Sequence, residues 1–170
     1  MMWKLIGAVF IIFGCGGIGF LIAAGIKKEE RYIRELAEAL EFMTSELKYR
    51  MTPLPELMAR AAACTSGDLF KVFSALDREL ATQIAPNAEA CLKTAMENTA
   101  GLPARTGNLL RMLGRSLGKF DLSGQIAGLN FVKDACKESL AQIAEEKNRR
   151  LRSYRTLGVC AGIGLAILLF

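Results

Sequence analysis

Apolar residues crowd the two ends of the chain, at 5–26 and 156–170, and in between they recur every third or fourth position among charges. The first stretch carries no charge. As a helix it would be about 33 Å long, enough to cross a hydrocarbon core of ~30 Å. The second would reach only about 22 Å. It is expected to form a short membrane segment, helped by bilayer thinning and by snorkelling of Arg152 and Arg155, with partial insertion left open. A cleaved signal peptide and lipoprotein-type processing at Cys15 are rival readings of the first stretch. An uncleaved anchor is favoured, because the positive charge follows the segment instead of preceding it. Small residues at every fourth position, Cys15, Gly19 and Ala23 in one stretch and Gly158, Gly162 and Ala166 in the other, would let two helices approach closely. The pattern divides the chain into an N-terminal transmembrane helix at 1–26, a helical domain at 27–155 and a short C-terminal membrane segment at 156–170.

Within the middle, Leu36, Leu40, Met43 and Leu47 repeat at helical spacing and predict one long helix over 27–50 that continues from the anchor. Thr52-Pro53 interrupts it, with Thr52 expected to cap the next helix and Pro53 to fill its first turn. That helix carries Leu54, Leu57, Met58 and Ala61. Thr65-Ser66-Gly67-Asp68 reads as a turn in which Thr65 and Asp68 have capping-box spacing. Leu69, Phe70, Phe73, Leu76 and Leu80 form the inward stripe of a third helix. A fourth, opening at Pro86-Asn87 and running to about Asn98, is poor in large apolar residues and is expected to be peripheral. Gly101-Leu102-Pro103 breaks the chain before a fifth helix over 104–117, with Leu109, Leu110, Leu113 and Leu117 inward. Gly118 is its expected left-handed stop. Asp121 or Ser123 is placed to cap a last long helix from 122 to 155, with Ile126, Leu129, Val132, Cys136, Leu140 and Ile143 inward, and Gln125 stands one turn after Asp121. Strand patterning is close to absent. The expected fold is all-α, a bundle of short helices between two long ones that pack antiparallel.

Charge and chemistry narrow the function. The net charge is +5, and its densest basic runs abut the apolar ends: Lys27, Lys28, Arg31 and Arg34 on one side, Lys147, Arg149, Arg150, Arg152 and Arg155 on the other. That placement points to lipid headgroups and not to nucleic acid, and by the positive-inside rule it puts the domain in the cytoplasm with both termini outside. The five cysteines are scattered without a CxxC unit and there is no histidine, so the usual zinc and general-base chemistries lack their commonest residues. Glu145 and Glu146 are neighbours that face different ways on a helix, not a carboxylate pair. No phosphate loop or nucleophile elbow is present. No catalytic residue, cofactor or metal is expected. Exposed charge at Arg31, Arg34, Glu35 and Glu38 is a candidate docking face, with a plain solvated face as the competing account.

The ordered set Leu36…Leu47-Lys48-Tyr49-Arg50-Met51-Thr52-Pro53-Leu54, then Leu117-Gly118-Lys119-Phe120-Asp121…Gln125, then Leu157-Gly158 opening an apolar tail, resembles the stage III sporulation protein AB family across nearly the whole length. The resemblance implies a component of the mother cell–forespore channel complex. Its helical domain would be similar to cytoplasmic domains of type II secretion platform proteins and would act beside a secretion-type ATPase and other channel membrane proteins. It also implies a location at the outer forespore membrane, facing the mother cell. It supplies no catalytic residues, and self-association stays open. A generic membrane-tethered adaptor without a channel role is the alternative.

Overall fold

The computed structural model describes the backbone of residues 2–82, 87–117 and 121–169, and the side chains of 24–82, 87–117 and 121–149. Six helices follow one another: α1 (Met2–Arg50), α2 (Leu54–Ala63), α3 (Gly67–Thr82), α4 (Ala88–Glu97), α5 (Ala104–Ser116) and α6 (Leu122–Leu169). Among the described residues there is no strand, and no helix is long and apolar enough to cross a membrane. The two expected membrane segments, with their small-residue stripes and Cys15, lie outside the described side chains.

The two long helices form the spine. α1 packs along α6 more extensively than any other pair, and each short helix packs mainly on its neighbour in sequence, closing a ring from α1 through α2, α3, α4 and α5 to α6. The anticipated stripes meet in one core. Leu36, Leu40, Met43 and Leu47 of α1 are buried together with Leu129, Val132, Cys136 and Ile143 of α6, while Ile126 and Leu140 are half-buried at its margin. Leu57, Met58 and Ala61 of α2 and Leu109, Leu110, Leu113 and Leu117 join the same core.

Expectations for Thr52, Phe70 and the fourth helix need correction. Thr52 does not cap α2: the helix starts after Pro53 with no side-chain cap, and the Thr52 hydroxyl instead donates to Glu46 at 3.0 Å. Thr52 is buried, and a buried hydroxyl beside a carboxylate gains more from that charge than from a solvent-accessible amide. Phe70 is exposed, and Val72 takes the inward place on α3. The fourth helix is not peripheral, since Ala88, Cys91, Leu92 and Ala95 are buried between α3 and α5. Its small residues are what allow that position, because they let the backbones come together. A Cβ on Gly114 of α5 would stand 3.0 Å from Leu92 and 3.3 Å from the Glu89 backbone.

Candidate protein-interaction site

Around the end of the bundle next to the first apolar segment, α1 gathers the starts of two other helices. Each has amide groups that its own helix cannot satisfy. At α3 the Glu35 carboxylate accepts from the Ser66 amide at 3.0 Å and from its hydroxyl at 2.9 Å. At α5, which begins after Pro103 without a side-chain cap, Glu29 accepts from the Arg105 amide at 3.4 Å. Negative charge at a helix N-terminus is favourable by roughly 0.3–1 kcal/mol where exposed. These acids of α1 therefore supply acceptors from another helix to the starts of α3 and α5.

Between them sits a tighter knot. The Tyr32 hydroxyl donates to Asp68 at 2.9 Å, and Lys28 donates both to Asp68 at 3.3 Å and to the Gly101 carbonyl at 3.0 Å. Lys71 adds a bond to Asp68 at 3.0 Å. With hydrogen bonds from Lys71, then Tyr32, then Lys28, the Asp68 carboxyl is held down at about 2 despite the opposing effect of burial. The knot leaves no room for side chains on the two turns beside it. Gly67 and Gly101 both have positive φ, and a Cβ there would meet the Tyr32 hydroxyl at 3.0 Å and Asp68 at 3.1 Å. Asp68 is thus a cross-helix anchor, not the partner of a capping box with Thr65, whose hydroxyl turns back to Ala62.

Two ion pairs tie α6 to α1 and to α5 near the same end. Lys147 of α6 pairs with Glu30 of α1, and Arg105 of α5 pairs with Glu146 at 2.5 Å. The Lys147 ammonium, by hydrogen bond and charge, lowers the Glu30 carboxyl, with Arg34 and Lys27 adding to the effect. Glu145 turns away to Arg149, so the two adjacent acids do face different ways. Lys28 and Lys147, read from the sequence as lipid-facing, are in part engaged with the protein itself.

The anticipated docking residues separate accordingly. Glu35 is half-buried in its contact with Ser66, while Arg31, Arg34 and Glu38 are exposed. Arg31 pairs with Glu35 and lies over the Tyr32 ring, and Arg34 pairs with Glu30. Asp121 performs its expected cap: its carboxylate accepts from the Gly124 amide at 2.9 Å, and its carbonyl from Gln125 at 2.9 Å. Leu117 is buried just after α5. Gly118, like Phe120, lies outside the described residues, and Pro53 stands immediately before α2.

At the opposite end of α1, Glu46 is buried and accepts from Thr52 and Arg60, with Arg50 nearby at 3.6 Å. It fixes the turn in which Met51 takes a left-handed φ of 52°. Between them α4 and α5, with the turn that joins them, border an open groove of about 610 Å³ whose walls include Leu92, Met96 and Arg111. Among the described residues no group of acids and cysteines could hold a metal ion. Burial pushes the Cys136 thiol up to about 12 and raises Cys91 as well, which removes both as nucleophiles.

Sequence reasoning missed Tyr32, Glu46 and Arg105, and it gave Asp68 a local capping role in place of its contact with Tyr32. Periodicity marks which face is buried, but a polar contact between residues 36 positions apart has no local signal. The Glu30–Lys147 pair was within reach, since two antiparallel helices flanked by apolar ends must bring those flanks together.

Residues 4–170 match the family model described as stage III sporulation protein AB. A stage III sporulation protein AB from Bacillus subtilis (strain 168) is 29% identical over 175 residues, covering 99% of both chains. A solved structure of a stage III sporulation protein AB superposes with a TM-score of 0.62 at 22% identity, covering 72% of this chain and 98% of that one, which shows the same fold.

Proposed function

Because the chain belongs to the stage III sporulation protein AB family, we propose that it serves sporulation as a non-enzymatic membrane component of a channel complex, a platform that couples a secretion-type ATPase to the channel. The observation that carries this reading is the spine. α1 and α6 lie along each other through the whole domain and are tied by Glu30–Lys147 at the end next to the apolar segments. A helix of about 30 residues spans roughly 45 Å, so a load applied to the far end of the domain reaches the membrane side without a flexible joint.

In this reading the terminal apolar segments sit in the membrane, the domain faces the mother-cell cytoplasm as its basic flanks require, and Arg31, Arg34 and Glu38 form the exposed charge available to the ATPase. Glu35 is assigned to internal support. Crosslinking in sporulating cells tests the platform, with the companion ATPase as the expected adduct. Arg34→Glu and Glu38→Arg should weaken that association more at low salt than at high salt, because exposed charge contacts are screened. Crosslinks to an unrelated membrane protein and none to the ATPase would replace the platform with a generic adaptor.

A further inference from the structure

On α6, Phe131 is a large aromatic that is 65% exposed. At 3.6 residues per turn, the described charged residues within about 60° of it on α6 are Asp134, Glu138, Glu145, Glu146 and Arg149, and the two nearest along the chain are the acids Asp134, which pairs with Lys137 at 2.9 Å, and Glu138. The groove between α4 and α5 has the opposite character. Its apolar walls are Leu92, Met96 and Leu102, and its rim carries Lys93, Arg111 and Arg115. Two acids share that rim, Glu97 against Lys93 at 3.8 Å and Glu89 against Arg115 at 3.4 Å, while the Arg111 guanidinium donates to Asn108. The volume of about 610 Å³ is ample for an aromatic ring.

The two features also stand at one level of the bundle. Arg105 meets Glu146, and Ser116 lies where a Cβ on Gly128 would touch it, so α5 and α6 are antiparallel and Phe131 and Asp134 fall level with the stretch of α5 holding Arg111 and Gly114. Chains held in one membrane by the same segments present knob and groove at equal height. This last step alone rests on the membrane reading above.

We propose that copies of this chain associate head to tail, the Phe131 ridge of one entering the α4–α5 groove of the next. Different surfaces meet in such a contact, so it builds a ring if the rotation closes and a row if it does not. Asp134 and Glu138, the acids of α6 beside Phe131, lie along the Arg111 rim, which fixes orientation and makes the contact weaker as salt rises.

The test uses the full chain in detergent, with self-association followed by sedimentation velocity and a photo-crosslinking amino acid placed at position 131. Adducts mapping to residues 89–115 of another copy are expected. Phe131→Asp should weaken self-association at least about tenfold, the equivalent of roughly 1.4 kcal/mol, with the melting temperature unchanged because the side chain is exposed. Asp134→Arg should weaken it as well, and adding Arg111→Asp should restore it. Adducts from position 131 to α6 of another copy would mean that like surfaces meet and would overturn the proposal, as would a chain that stays monomeric at every concentration. Release from membranes by alkaline carbonate would remove the membrane reading, while the crosslink map would still decide this one.

Discussion

The seam between α1 and α6 and the seam between α4 and α5 reach the same end by opposite means. The first is long and filled with large side chains, Leu36, Leu40 and Met43 against Leu129, Val132 and Cys136, and it is closed near one end by an ion pair. The second is short and sets glycines of α5 against larger side chains of α4, with Gly107 beside Met96 and Gly114 beside Leu92. A seam of large residues is sensitive to removal, because each deleted group leaves a cavity. A seam of small residues is sensitive to addition, because the neighbouring backbone has nowhere to go.

The comparison breaks most visibly at its strongest point. Leu40→Ala, at a fully buried position, should destabilise the domain by about 2–5 kcal/mol in denaturant unfolding, and a loss under ~1 kcal/mol would show that the seam collapses around the gap. Enlargement is the matching test on the other seam. Gly114→Val should cost about 1–3 kcal/mol through overpacking, although on propensity alone replacing a helical glycine would help. An unchanged melting temperature would mean that α4 moves aside freely.

The junction between the seams gives a smaller effect. Asp121→Ala should cost about 0.5–2 kcal/mol, since it frees the Gly124 amide. If stability is kept while sporulation fails, Asp121 belongs to a partner contact instead of a cap. Finer still is the knot around Asp68. Its folded carboxyl lies at about 2 against an ordinary 3.8. The stabilisation is therefore complete above the ordinary value and is lost as pH falls through the folded one. An acid titration of the domain should show this loss below about pH 4, and Asp68→Asn should lack that part of the curve. The mildest probe leaves stability untouched: among the described cysteines a thiol reagent should modify exposed Cys64 well before buried Cys91 and Cys136.

The helices, their order and most of their inward faces were legible in the sequence alone. Periodic leucines report burial through a local rule, and Asn87, which accepts from the Ala90 amide at 2.8 Å, and Asp121 report helix starts through contacts three residues away. The family could also be read, because its motifs are ordered along the chain. Tertiary structure alone decided which polar residues work between helices. Thr52 could have capped α2, but folding placed it beside the buried Glu46. Glu35 could have been free surface, but the start of α3 came within reach of its carboxylate. The small residues of the fourth helix pointed to the periphery, yet the partner's glycines turned that lack of bulk into close packing. In each case the deciding partner lies on another helix, at a distance in sequence that no periodicity measures, and the energy of the contact exists only once both elements are in place.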